Sequence, residues 1–241
     1  MKIEGRNAVR EAILADKTID KVLFKKSSCD KVTNEIINMC KSRKIKYQFV
    51  EGFILDKESA TKSHQGVIAY IEDFKYSSID DIVNVARARN EDNFILILDG
   101  IEDPHNLGSI IRVAECLGVH GIIIGKNRAC QVNETVAKVS AGAINHVKIA
   151  RVTNIHTAIE DLKNQNIWVY ACELGGTPVE KVNLKGNVAI VIGSEGFGCS
   201  SMTKKISDGV VTLNMKGKVN SLNASVAAGI VLYETLLQRL N

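Results

Sequence analysis

Two runs of five side chains without a polar group, Phe94–Leu98 (FILIL) and Val188–Ile192 (VAIVI), constrain this chain more than any other feature. A strand with one wet face alternates apolar and polar residues. A run without alternation needs cover on both faces, as in a parallel sheet between helical layers. Five residues fall far short of the roughly 20 that cross a bilayer, so these runs read as buried strands and no membrane span is expected. Further short apolar segments, Gly121–Ile124, Val147–Ile149, Trp168–Ala171 and Val210–Leu213, are separated by helical patterns at Leu107–Leu117, Glu134–Val139, Ile155–Lys163, Ser200–Ile206 and Ala224–Leu240. The alternation predicts an α/β fold with a mostly parallel sheet and helices on both faces. In such sheets ligands sit beyond the carboxyl ends of the strands.

The preceding residues form a smaller α/β pattern. Asn7–Ala15 and a helix capped by Asp30, with Val32, Ile36, Ile37 and Cys40 at helical spacing, alternate with strands at Lys21–Phe24, Lys46–Val50 and Gly66–Ile71; Lys62–Gln65 reads as a turn. Apolar content drops from Glu72 to Asn93, although Ile82, Val83 and Ala86 suggest a short helix there. The expected organisation is a domain at 1–75, a linker at 76–92 and a second domain at 93–241, which suits 241 residues at about 150 per domain.

Charge is uneven. Residues 1–90 hold 17 Lys and Arg against 13 Asp and Glu, whereas the remainder holds 14 of each, so the first part carries the whole excess of +4. Nucleic-acid binding is one reason for such asymmetry, and an ordinary solvated surface is another. The first residues, MKIEGRNAVREAIL, carry charges where a signal peptide needs an apolar core, which predicts a cytoplasmic protein. Cys29, Cys40, Cys116, Cys130, Cys172 and Cys199 form no C-x-x-C pair, and no His pair has zinc-site spacing; reduced thiols and no metal are expected.

Three segments that follow strand ends are rich in polar and small residues. Asp99–Arg112 (DGIEDPHNLGSIIR) enters a helix with Asn106 at the expected N-cap and Arg112 six residues on, a combination suited to a phosphate. Gly193–Cys199 (GSEGFGC) has three glycines that let backbone approach a ligand, and Glu195 at its tip. It is neither a Walker loop, because Cys199 stands where lysine is required, nor G-x-G-x-x-G. In Leu213–Gly229 a strand end, a polar loop and a small-residue helix follow one another, with Ser221 and Asn223 flanking Leu222. Taken singly, each segment also fits helix capping and tight packing, with Glu195 capping the helix after its loop.

In order and spacing, however, DPHNLGSIIR, IGSEGFG and NMKGKVNSLNASVA resemble the three signature motifs of the SpoU (TrmH-like) branch of the SPOUT RNA 2′-O-methyltransferases. The resemblance covers about 93–241. Residues 3–71, with EGRNAVRE and HQGV, are similar to the substrate-binding domain that precedes many of these enzymes. Length and the N-terminal motif are most similar to the large-subunit (23S) rRNA guanosine 2′-O-methyltransferases, the RlmB type.

This resemblance implies a SPOUT fold whose C-terminal part forms a deep trefoil knot, and a homodimer packed through the knot with its active site shared between chains. It implies S-adenosylmethionine as cofactor, held by Gly193, Leu213 and Leu222, with glycine at 193 because a side chain would obstruct the cofactor. The carried-over catalytic residues are Asn106, Arg112, Glu195, Ser221 and Asn223. Lys25, Lys26, Lys41, Arg43, Lys44 and Lys46 are the candidate RNA-phosphate contacts in the first domain. Where the family usually has proline before the methionine of the third motif, this chain has Asn214, so a looser cofactor loop is expected. Arg112, whose guanidinium is a poor base, is expected to clamp a phosphate and stabilise the developing oxyanion, with direct proton abstraction by Arg112, the usual proposal for the family, as the alternative. A tRNA-modifying or resistance-conferring rRNA methyltransferase and a non-catalytic RNA-binding assembly factor are the alternatives; the intact polar set argues against the last. A Rossmann-type methyltransferase is disfavoured because no strand leads into a G-x-G-x-G turn.

Overall fold

The computed structural model describes residues 2–14, 18–26, 30–59, 63–71, 74–218 and 221–240. Cys29, Lys62 and the Val219–Asn220 part of the third polar segment lie outside them. The chain divides into two compact units, 1–75 and 76–241.

In the first unit, β1 (Lys2–Glu4), α1 (Arg6–Leu14), β2 (Ile19–Lys25), α2 (Lys31–Ser42), β3 (Lys46–Val50), α3 (Gly52–Glu58) and β4 (Val67–Ile71) follow one another. The sheet order is β1-β4-β2-β3, with β2 and β3 parallel and the other pairs antiparallel. Asp30 caps α2 as expected, its carboxylate accepting from Thr33 N at 3.0 Å and Thr33 Oγ1 at 2.7 Å. Val9, Ile13, Val22, Phe24 and Ile36 fill one face of this sheet, and Leu23, Val50, Leu55 and Ile68 the other. Both β1 and α3 escape the sequence reading. The first has only three residues, and Glu51 before α3 makes no side-chain cap bond to mark its start.

The second unit begins with α4 (Ile79–Arg89). Here the structure corrects the reading of 76–92 as a linker. Ser78 and Asp81 form a reciprocal capping box, Ile82 and Ala86 are fully buried, and a Cβ on Gly121 would lie 2.4 Å from Ile82. The segment is a packed element whose solvent face lowered its apolar content. There follow β5 (Phe94–Asp99), α5 (Pro104–Cys116), β6 (Gly121–Gly125), α6 (Glu134–Val139), β7 (Lys148–Val152), α7 (Ile155–Asn164), β8 (Trp168–Pro178), β9 (Val188–Gly193), α8 (Ser201–Ile206), β10 (Gly209–Thr212) and α9 (Ala224–Leu240).

These strands form a wholly parallel six-stranded sheet, β10-β8-β9-β5-β6-β7. Every residue of the two apolar runs is buried, as strands covered on both faces require. Ile95, Ile97, Ala189 and Val191 pack with Ile159 and Leu162 of α7 on one face; Leu96, Leu98, Ile190 and Ile192 alternate to the other. From β5 the chain winds outward to β6 and β7, then returns across the sheet to β8, and β9 fills the place between β8 and β5. That reversal opens a crevice at the carboxyl ends of β5 and β9, where Asp99 pairs with Gly193.

Candidate active site

Side chains near the ends of β5 and β9 converge at this crevice. Asp99 Oδ2 accepts from Ser200 N at 3.0 Å and Thr203 Oγ1 at 2.7 Å, which ties the end of β5 to the start of α8. The true N-cap of α5 is Asp103, whose side chain accepts from His105 N, with Pro104 opening the helix. Asn106 is therefore not the cap but an interior residue, only 7% exposed. Its Oδ1 accepts from Asn223 Nδ2 at 2.9 Å, and the same Nδ2 donates to Glu195 Oε1 at 2.5 Å. The Asn223 carbonyl oxygen meanwhile accepts from Ser225 N at 3.0 Å and Ser225 Oγ at 2.6 Å at the entrance of α9. One amide thus caps a helix and joins the three polar segments. Glu195 caps nothing; Ser200 caps α8, accepting from Thr203 N at 3.1 Å.

Arg112 is not part of this cluster. Six residues on from Asn106, it is rotated by about 120° around α5. It is exposed and has no hydrogen-bond or ion-pair partner among the described residues. It follows the packed residue Ile111 and precedes Val113, whose Cγ1 would lie 3.5 Å from a Cβ on Gly229 of α9. Val226, Ile230, Tyr233, Leu237 and Leu240 are exposed on α9, at spacings of three and four residues that make one apolar stripe.

Behind Glu195 lies a cavity of about 380 Å³ lined by Gly193, Ser194, Gly196, Gly198, Leu213 and Leu222, with Ser221, Met215 and Ile192 beside them. The expected cofactor residues Gly193, Leu213 and Leu222 share this wall. Glycine at 193 has a reason besides the expected one. Ser194 N and Gly198 N exchange hydrogen bonds with each other's carbonyls at 3.2 and 2.8 Å, folding the loop back, so a Cβ on Gly193 would lie 2.0 Å from the Gly198 carbonyl carbon. The loop's own backbone already excludes a side chain there.

The cavity also has a wall that the sequence reading missed. Between Ala171, which pairs with Val210, and Thr177, which pairs with Val211, five residues of β8 fall outside the pairing with β10, although Cys172 still pairs with Ile192 of β9. They bring Cys172, Glu173 and Leu174 into the cavity. The available signal was Gly175-Gly176: Gly175 has φ +78°, and a Cβ on Gly176 would meet Val210 O at 2.5 Å. Glu173 Oε2 accepts from Cys199 N at 2.9 Å, so its carboxylate holds the glycine loop from below. Burial pushes the Cys172 thiol up to about 11 and the Cys199 thiol up to about 12, which keeps both protonated and poor nucleophiles near neutral pH. Asn214 gives the third loop a tether in place of proline stiffness, donating to Glu180 Oε1 at 2.9 Å.

The six basic residues of the first unit do not form one cluster. Lys46 pairs with Lys21 at one end of the β2–β3 ladder, and Lys25 with Val50 at the other, a separation of ~13 Å. Lys26 is ion-paired with Glu51 at 2.7 Å, and Arg43 donates to the carbonyl of Ile13. Lys41 and Lys44, at the end of α2 and in the turn after it, are exposed. Among the described residues no helix is long and apolar enough to cross a membrane, and no cluster of His, Cys, Asp and Glu could hold a metal.

Residues 93–233 match the SpoU rRNA methylase family model. The chain belongs to this family. Residues 2–77 match the RNA 2′-O ribose methyltransferase substrate-binding model. A Bacillus subtilis protein assigned by name to the TrmH family of tRNA/rRNA methyltransferases, YacO, is 42% identical over 237 residues, covering 98% of this chain and 94% of that protein. A Staphylococcus saprophyticus protein of the same description is 43% identical over 238 residues, with 98% and 95% covered. Among solved structures, the SpoU methyltransferase AviRb of Streptomyces viridochromogenes, in complex with AdoMet, superposes with a TM-score of 0.62 at 22% identity, over 100% of this chain and 90% of that one. The protein is accordingly an RNA methyltransferase of the SpoU family, whose cofactor is S-adenosylmethionine.

Proposed function

We propose that the protein methylates a ribose 2′-hydroxyl of RNA, with a guanosine of large-subunit (23S) rRNA as target. The observation that carries this reading is the Asn106–Asn223–Glu195 bridge at the mouth of a glycine-walled cavity. The residues present fit the cofactor. The cavity falls in the ~300–1,000 Å³ range of small-molecule sites. Leu213, Met215 and Leu222 offer apolar cover for an adenine, Gly193–Gly198 offers backbone polar groups, and Glu173 and Glu195 add negative charge near a cationic ligand. When bound, the cofactor supplies a methyl group on a positively charged sulfur.

The chain's own residues then have two tasks: aligning the hydroxyl and favouring loss of its proton. Asn106 and Asn223 orient the ribose and the loops that their bond joins. Glu195, held by Asn223, fixes the loop against the cavity, and Ser221 lies on the cavity wall two residues from Asn223. Arg112 clamps the phosphate next to the target ribose and stabilises the developing oxyanion, with that phosphate or water taking the proton.

Arg112 lies off the cluster of its own chain, and α9 presents an exposed apolar stripe. Both facts support a homodimer in which the stripe of one protomer covers that of the other and Arg112 serves the partner's site. The threading of the C-terminal segment as a trefoil knot, and a cytoplasmic location, belong to the same reading. A tRNA substrate is the second reading, favoured by the joint tRNA/rRNA naming of the relatives. Mapping 2′-O-methyl groups in rRNA and tRNA from cells with and without the gene tests both: loss of a single 23S guanosine mark is expected, and loss of a tRNA mark instead would replace the first reading by the second.

A further inference from the structure

We propose that the loop of residues 126–130, after β6, is a subsite for a phosphate of the RNA strand, with Lys126 and Arg128 as its cations. This inference rests on the RNA methyltransferase reading and adds a docking point to it. The loop lies beside the site. Cys130 N donates to Ile101 O at 2.7 Å, and a Cβ on Gly100 would lie 3.9 Å from Arg128 O and 3.7 Å from Ser194 Cβ. Gly100 therefore has the basic loop on one side and the glycine loop of the cavity on the other.

Its backbone is held at both ends. Lys126 N donates to Val152 O at 2.8 Å, Gln131 Nε2 donates to Gly125 O and Ala129 O at 2.9 Å each, and Val132 N donates to Tyr76 Oη at 2.9 Å. Within this frame Arg128 has a φ of 51°, left-handed backbone that L side chains avoid. Of the other non-glycine residues in that region, Lys44, Asn90, Ala141 and Asn166 end helices, where the conformation satisfies free carbonyls, and Gln65 lies in the turn before β4. Arg128 ends no helix. The bonds on either side of Arg128 hold this backbone in place and so fix where its side chain starts.

Both cations are available. Lys126 and Arg128 are exposed and have no side-chain partner among the described residues. Asp103, the acid that acts electrostatically on Cys130 of this loop, accepts from His105 N at the α5 cap and is ion-paired with neither cation among the described residues. A planar guanidinium beside an ammonium on a fixed backbone suits a phosphodiester, and its position beside the Asn106–Glu195–Asn223 cluster suits the strand that carries the target ribose.

The test uses the full-length protein with Arg128→Gly and Lys126→Gln, singly and together. Glycine adopts φ +51° freely, so the thermal midpoint of Arg128→Gly should stay level or rise. Affinity for 23S rRNA and tRNA transcripts, read by filter binding over a salt series, should fall about 10-fold per substitution. The slope of log affinity against log salt should become shallower by about 0.7–0.9 for each phosphate that is no longer neutralised. Calorimetric affinity for S-adenosylmethionine should stay at the wild-type value. Wild-type RNA affinity and slope in the double variant, while the wild-type enzyme methylates RNA, would overturn the subsite and leave the enzyme reading standing. A parallel loss of S-adenosylmethionine affinity would overturn it too, as would a wild-type protein that neither binds that compound nor methylates RNA, which removes the enzyme reading as well.

Discussion

In the C-terminal unit one amide, Asn223 Nδ2, joins groups 117 and 28 residues away in the chain, at 2.9 and 2.5 Å. In the N-terminal unit the basic residues stay apart, at both ends of the β2–β3 ladder and in the turn after α2, two of them bonded to neighbours. The contrast follows from what each is asked to do. Positioning one hydroxyl requires groups within hydrogen-bond reach of one another, so the chain must bring distant segments together. Attraction of a polyanion acts over a Debye length of about 10 Å and adds up over dispersed charges, so no convergence is required.

Breaking the convergent side should produce the largest effect. Arg112→Ala should cut methyl transfer by about 10³-fold while calorimetric affinity for S-adenosylmethionine stays within about twofold; unchanged turnover would reject the assignment. Gly193→Ala should reduce cofactor affinity at least ~100-fold and lower the thermal midpoint even without cofactor, because its Cβ meets the loop's own backbone. Lost affinity with an unchanged midpoint would leave obstruction of the cofactor as the reason for glycine. The two roles of Asn223 separate in a pair of variants. Asn223→Ser keeps a helix cap and should lose ~100-fold in activity at near-native stability, whereas Asn223→Ala should lose a further ~1 kcal/mol of stability. Equal melting of the two would remove the capping role.

The dispersed side should respond more gently. Lys44→Glu with Lys46→Glu should weaken RNA binding about 10-fold at 0.1 M salt and flatten its salt dependence, with cofactor affinity untouched. Indifference of binding to both reversals would take the turn after α2 out of the RNA interface. Smallest is a pH effect at the base of β5. Phe94 N donates to His120 Nδ1 at 2.9 Å, so Nε2–H faces Glu91 Oε2 at 2.8 Å and the ring is neutral. Burial, partly opposed by Glu91, lowers the His120 pKa below 6.5. A group whose folded pKa is depressed contributes its stability fully above the unfolded value and loses it as pH falls through the folded one. The thermal midpoint should therefore drop as pH falls below about 6.5, and less so in His120→Asn; equal slopes would refute the assignment.

Much of the architecture was legible because burial on both faces leaves a local record. Phe94–Leu98 and Val188–Ile192 could be nothing but covered strands, and the start of α2 showed in Asp30. Elements with mixed surroundings were harder. The wet face of α4 made a packed helix resemble a linker, β1 had only three residues, and α3 had no side-chain cap bond to mark its start. At the site, the three polar segments stood out singly, but Asp103 rather than Asn106 proved to be the cap, since Pro104 sets the first helical position.

What the amino-acid order determined alone is the set of double-covered strands and the chemistry placed after each, because periodicity and residue type act over a few neighbours. Which of those groups meet was decided by the return of β9 between β8 and β5. That crossing brings Asn106, Glu195 and Asn223 within hydrogen-bond reach and the Cys172–Leu174 stretch to the cavity. These outcomes depend on contacts between segments far apart in the chain, and no local pattern encodes a distance across a sheet.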